Sequence, residues 1–280
     1  MSGTPQSTLR AVSRLAALLA VTATWMAFAL VTSLWRGWGL ARRTVLGQRW
    51  ARSVSRVVGL GVEVTGTPPP AGTVLVANHR SYTDIAAIMA SVSCAFLAKR
   101  EVTRWPLLGA AARMGGTVFV ARHNAQSRSE ALRRLAALLE RGHSVVVFPE
   151  GTSTRGPTVL PFRPGVFRLA AREGFTVVPV AIDYRYSADA WVGDDTFVGH
   201  FVRRFGKPTT PVSVHFGPPC THRRGEPLRR FAQEWIAGQL AARAARPVTS
   251  RPPALKGETR HAQDPVLSHR DAVVSRRQPA

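Results

Sequence analysis

Apolar residues along this chain fall into short blocks with two different periods. Residues 62–65 (Val62-Glu63-Val64-Thr65) alternate as a half-buried strand does, and Pro68-Pro69-Pro70 stops the run. The stretches 73–77, 95–98, 117–121, 144–148, 177–182 and 212–216 are nearly continuous apolar runs of strand length. Between them, 84–92, 104–114, 127–141, 164–173 and 226–244 read as helices. In 127–141, Leu132, Leu135, Leu138 and Leu139 share one face, with Gly142 as the stop, and Pro106 sits in the first turn predicted for 104–114. Short apolar strands alternating with helices predict an α/β layered domain, a central mostly parallel sheet flanked by helices.

The N-terminal pattern is different. From Leu15 to Trp35 there are 21 residues without a charge. As a helix they span roughly 31 Å, close to the hydrocarbon thickness of a bilayer. Trp35 and Trp38 suit the interfacial zone. The run is longer than the apolar region of a signal peptide, and no small-x-small cleavage site follows before Arg36. The layered domain is therefore preceded by an N-terminal membrane helix or helix pair, since a re-entrant pair satisfies the same pattern. Residues 40–60 interleave Val45, Leu46, Trp50, Val54, Val57 and Val58 with arginines, as in an amphipathic basic helix lying on a surface, with an ordinary packed helix as the alternative. The divisions are 1–60, a membrane-anchoring helical segment; 61–245, the main domain; and 246–280, a disordered basic tail without periodicity.

Charge narrows the partners. The formal net charge is +22, and all but three of the basic residues (Lys99, Lys207 and Lys256) are arginine. No acidic residue precedes Glu63, so an anionic partner is expected, either nucleic acid or a bilayer face. Scattered basic residues without a recognition motif leave the apolar N-terminal run unexplained, which makes a nucleic-acid-binding protein the distant alternative. Arg36, Arg42, Arg43, Arg49 and Arg52 outnumber Arg10 and Arg14, which predicts a cell-membrane protein with its main domain on the cytoplasmic face. Cys94 and Cys220 have no metal-ligand spacing and form no disulfide framework.

Candidate chemistry lies where predicted strands end. Asn78-His79-Arg80-Ser81-Tyr82-Thr83-Asp84 follows one apolar run and sets an imidazole and a carboxylate five residues apart. With Ser81 as cap of the next helix and Asp84 at its third position, the two side chains can meet. His79 then serves as a base and Asp84 holds its other ring nitrogen. Arg122 follows a second run; Glu150, Gly151 and Thr152 follow a third, with Arg155 and Arg163 close behind. Gly151 allows a tight turn and offers an N–H to an anion, and guanidinium groups suit phosphate. Glu150 repels phosphate, so its expected task is to orient an arginine or accept from a substrate hydroxyl. There is no nucleophile elbow: Gly142-His143-Ser144 comes nearest, but Val146 occupies the place of the last glycine. No phosphate-cradling loop, dinucleotide fingerprint or metal motif is present. A histidine base without a protein nucleophile points to proton removal from a substrate hydroxyl that attacks an activated acyl carbonyl.

Over roughly residues 60–220 these clusters resemble the glycerolipid acyltransferase family that includes 1-acylglycerol-3-phosphate acyltransferases. His79 to Asp84 matches its His-x-x-x-x-Asp signature and Phe148 to Thr152 its Phe-Pro-Glu-Gly-Thr signature. Gly116 to Arg122, Val177 to Ile182, and Lys99-Arg100-Glu101 with Pro106-Leu107-Leu108-Gly109 supply further blocks in order. The resemblance implies a membrane acyltransferase domain at 61–245, with His79 and Asp84 catalytic and Arg122, Glu150, Gly151, Thr152 and Arg155 binding substrate. It further implies acyl-CoA or acyl carrier protein as donor, and no cofactor, metal or nucleic acid. The acceptor it implies is a lysophospholipid, 1-acylglycerol-3-phosphate first. Ser153-Thr154 stand where many phosphate-using members carry Arg-Ser, which keeps another lysolipid, such as lyso-ornithine lipid, as the alternative.

Overall fold

A computed structural model describes residues 4–37, 39–193 and 195–245. Trp38 and the tail expected at 246–280 therefore lie outside the described residues. Seven strands form one sheet in the order β1-β7-β6-β2-β5-β3-β4: β1 (Leu60–Thr65), β2 (Val74–Ala77), β3 (Cys94–Lys99), β4 (Val118–Val120), β5 (Ser144–Val147), β6 (Val177–Tyr184) and β7 (Thr210–Phe216). Every neighbouring pair is parallel except β6 with β7. Adjacent residues of the central strands feed opposite cores. Leu75 and Ala77 join one cluster with α2 (Leu40–Val58), α3 (Asp84–Ser91) and α7 (Phe197–Phe205). Val74 and Val76 join the other, with α5 (Ala125–Glu140), α6 (Gly165–Glu173) and α8 (Gly225–Ala244). Covering both faces explains why these strands read as unbroken apolar runs.

Two local readings are corrected. The helix expected at 104–114 is instead a 3-10 turn, Arg100–Arg104, followed by α4 (Leu108–Met114). Pro106 lies before the helix, and Leu107 at φ 57 turns the chain back. A Cβ on Gly109 would meet the Thr103 carbonyl at 2.6 Å, so only glycine permits this return. Second, Thr83 rather than Ser81 is the N-cap of α3, and Asp84 is its first residue. Helix α7 had no counterpart among the expected elements.

Helix α1 (Pro5–Arg36) is long and apolar enough to cross a membrane. Its buried residues, Ala11, Leu18, Thr22 and Ala29, form one stripe at helical spacing. Trp50 Nε1 donates to Thr22 Oγ1 at 3.1 Å and Trp25 Nε1 to Ser53 Oγ at 3.3 Å, joining α1 to α2. The other face leaves Phe28, Leu30, Val31, Leu34 and Trp35 exposed, the last two by more than four-fifths. Arg10 donates to the Gly206 carbonyl at 2.9 Å, and Arg14 to those of Phe205 (2.9 Å), Lys207 (2.6 Å) and Pro208 (2.7 Å). The N-terminal turns of α1 are thus held at the carboxyl end of α7. A span with Arg10 and Arg14 across the bilayer from the main domain, as the arginine distribution suggested, does not fit these bonds.

Candidate active site

Strand β2 lies between β5 and β6 and runs parallel to both, so the segments leaving their carboxyl ends meet at one place. Open sheets present ligands at such ends. Here the turn after β2 brings His79 Nδ1 to 2.8 Å from Asp84 Oδ2. The same oxygen accepts from the backbone N–H groups of Arg80 (2.7 Å) and Ser81 (2.9 Å), while Oδ1 accepts from the Tyr184 hydroxyl at 2.5 Å. Asp84 is completely buried, whereas the His79 side chain is 21% exposed. An ionised carboxylate accepting from Nδ1 leaves the lone pair on Nε2. Nε2 has no hydrogen-bond partner among the described residues.

The turn is braced from both sides. Asn78 exchanges side-chain bonds with the Ile182 backbone, Nδ2 to O at 2.9 Å and N to Oδ1 at 2.8 Å, extending the β2–β6 ladder by one side chain. From the β5 side, Glu150 Oε1 accepts the His79 N–H at 2.8 Å and Oε2 accepts that of Leu160 at 2.9 Å. Thr154 N donates to the His79 carbonyl at 2.9 Å. The Phe148 ring stacks on the imidazole with centroids 4.2 Å apart. Glu150 thus ties two loops together through backbone N–H groups, with both oxygens occupied, rather than aligning an arginine. Burial pushes its carboxyl up from the ordinary value, and the Leu160 and His79 N–H groups oppose that.

Arg122 leaves β4 and reaches across to the Gly151 carbonyl, which accepts from its Nη1. Gly151 has φ 77, and a Cβ there would lie 2.9 Å from the Arg163 guanidinium carbon. Burial, and then the charge of Arg163, lower the Arg122 guanidinium from its ordinary value, with Glu101 opposing. Two cations gathered over one glycine turn suit an anionic group. Thr152 and Arg155 are both exposed, and Arg155 acts electrostatically on Asp195. The expected residues therefore form a tight His79–Asp84–Glu150 core and an Arg122–Gly151 arm, with Thr152 and Arg155 on the outer loop.

Sequence reasoning missed Tyr184. The strand was expected to end at Ile182, but it continues two residues, and the polar end Asp183-Tyr184-Arg185 was the available signal. It also missed a cavity of about 190 Å³ between the α1–α2 pair and the sheet layer. Its apolar wall includes Leu18, Met26, Trp50, Met89, Phe96 and Phe201, and it reaches Tyr82 and Thr83 of the turn that carries His79. Phe96 in turn stacks on Phe148, the ring beside the imidazole. Among the described residues no group of three or more His, Cys, Asp or Glu could hold a metal ion.

Comparison with known proteins places the chain in one family. The family described as Acyltransferase matches residues 61–183. A lyso-ornithine lipid O-acyltransferase of Pseudomonas aeruginosa is 34% identical over 255 residues, covering 87% of this chain and 98% of that protein. A 1-acyl-sn-glycerol-3-phosphate acyltransferase of Neisseria meningitidis serogroup B is 36% identical over 135 residues, 48% of this chain and 53% of that protein. The crystal structure of the 1-acyl-sn-glycerophosphate acyltransferase PlsC from Thermotoga maritima shares the fold, with a TM-score of 0.63 at 23% identity over 87% of this chain and all of that one.

Proposed function

Since this chain belongs to the glycerolipid acyltransferase family, we propose that it moves a fatty acyl group from a thioester donor, acyl-CoA or acyl carrier protein, to the free hydroxyl of a lysophospholipid. One observation carries the mechanism: His79 Nδ1 is held at 2.8 Å by a buried carboxylate, while Nε2 has no hydrogen-bond partner among the described residues. Nε2 takes the hydroxyl proton as the acceptor oxygen attacks the thioester carbonyl. The carbon–sulfur bond then breaks, the new ester remains, and the departing thiolate receives the proton from the imidazolium. The acyl chain lies in the apolar cavity beside Phe96 and Trp50, where it replaces water against an apolar wall.

The acceptor's anionic headgroup meets Arg122 and Arg163 at Gly151. This favours 1-acylglycerol-3-phosphate, whose phosphate can take paired guanidinium bonds. A second reading, lyso-ornithine lipid, is favoured by the 98% coverage of the Pseudomonas relative and by Ser153-Thr154 in place of Arg-Ser. The purified protein assayed with labelled acyl-CoA against both lysolipids decides between them. On the first reading, Arg122→Ala raises KM for the lysophosphatidic acid by roughly tenfold or more, as expected for a lost charged hydrogen bond. Activity confined to lyso-ornithine lipid selects the second reading; activity with neither sinks both.

The exposed apolar face of α1 enters the membrane, and the catalytic domain lies on the cytoplasmic face. Because Arg10 and Arg14 bind carbonyls at the end of α7, the helix pair inserts from the catalytic side without crossing. An N-terminal tag and a cysteine introduced on α8 are then both protected in intact cells from an impermeant reagent and both labelled after lysis. Labelling of the tag alone in intact cells would establish a span instead.

A further inference from the structure

Asp84 is a fully buried carboxylate, and among the described residues no guanidinium or ammonium bonds to it directly. Its stabilisation comes from donors: two backbone N–H groups, the imidazole, and the Tyr184 phenol on the oxygen facing away from His79. Only the phenol comes from another element, β6, 100 residues along the chain. The phenol oxygen is itself engaged by Thr83 Oγ1 at 2.8 Å, so the bonds run Thr83 to Tyr184 to Asp84. Behind the ring lies Arg204 of α7, 99% buried, with its guanidinium carbon 4.3 Å from the Tyr184 centroid. Nη1 of Arg204 donates to the Asp189 carbonyl, while Nε and Nη2 have no hydrogen-bond partner among the described residues. A cation on the face of a phenol draws electron density from the ring and strengthens its O–H as a donor.

We propose that Tyr184, backed by Arg204, is a positioning residue that holds the Asp84 carboxylate turned toward His79. The proposal rests on His79 as the base. Burial, and after it the Asp84 charge, push the Tyr184 phenol far above its ordinary value, so it remains a donor throughout any working pH range. The ionisable groups around the pair are Arg80 and Tyr82 in its own turn, Glu150 after β5, Asp183 on β6, and Arg204 with His200 on α7. His200, lowered to about 4 by burial and then by Arg204 and Arg203, is neutral near pH 7. Arg80 faces Asp183 at 3.6 Å rather than Asp84. Beside the His79 imidazole, the Tyr184 bond is thus the side-chain contact that offsets the cost of burying this carboxylate.

The test is Tyr184→Phe, which keeps the ring against Arg204 and removes one hydroxyl. Loss of a donor raises the proton affinity of the Asp84–His79 pair, so the acid limb of kcat/KM moves to higher pH. The expected movement is roughly one pH unit, with a plateau about tenfold lower, the scale of one hydrogen bond to a charged group. KM for the lysolipid is unchanged. An acid limb that stays in place overturns the proposal, even if activity and melting temperature both fall, because that is what a merely structural tyrosine would do. If Tyr184→Phe does not fold, Thr83→Val decides: it removes only the hydroxyl that orients the phenol and moves the limb the same way by less. His79→Ala is assayed alongside. Activity in that variant sinks the base reading and this one with it, whereas inactivity there beside an unmoved limb in Tyr184→Phe sinks this one alone.

Discussion

Replacing His79 with alanine lowers kcat for acyl transfer by roughly 10²–10⁴-fold while the protein still folds, the span that general-base catalysis supplies. The fold survives because the turn is held through its backbone: Glu150 accepts the N–H of residue 79 and Thr154 donates to its carbonyl, neither of which needs an imidazole. Asp84 loses one donor and keeps three, those of Arg80, Ser81 and Tyr184. What goes is the ring stacked on Phe148 and, with it, Nε2, the atom proposed to take the hydroxyl proton. Initial rates with labelled acyl-CoA, read beside a thermal melt, check this. A folded variant that retains more than about a third of the activity removes His79 from the mechanism. A loss well beyond the expected span would mean that the imidazole also positions the acceptor.

Replacing Asp84 has a larger total effect, because it removes both catalysis and stability. Asp84→Ala strips the acceptor from two backbone N–H groups and one phenol in a site closed to solvent. Each buried donor left unpaired costs about 1–3 kcal/mol, so a loss of at least about 3 kcal/mol is expected in urea unfolding. Asp84→Asn separates the two effects. The amide oxygen can take the place of Oδ2 and keep the N–H groups paired, but its NH₂ then faces the Tyr184 hydroxyl, and no negative charge remains to stabilise the imidazolium. Its stability is expected to lie between those of wild type and Asp84→Ala, with kcat reduced by roughly 10²-fold or more. Near-normal turnover in Asp84→Asn would show that the carboxylate has no part in the reaction.

The legible parts of this protein were those encoded locally. Six of the seven strand cores were visible because a sheet covered on both faces demands unbroken apolar runs such as Val145-Val146-Val147, and β1 was visible from its alternation. Helix α5 was visible from its leucine spacing, and its N-cap, Asn124 accepting from Ser127 N at 2.8 Å, is likewise a contact within three residues. Helix α4 was misplaced because its start depends on a return of the chain against Thr103, which no periodicity announces.

At the site, residue types and spacing determined that an imidazole and a carboxylate could meet, that a glycine turn followed β5, and that arginines stood near it. The tertiary structure decided what each one touches. Pairing of β2 between β5 and β6 made Glu150 a bracket on the His79 backbone and brought Tyr184 to Asp84 from 100 residues away, while packing of the α1–α2 pair on the layer below left an apolar cavity between them. The physical reason is one of range. Capping, turn geometry and burial period act over a few residues, so a sequence displays them directly. A hydrogen bond across a sheet depends on which strands are neighbours, and that order is set by packing of the whole layer.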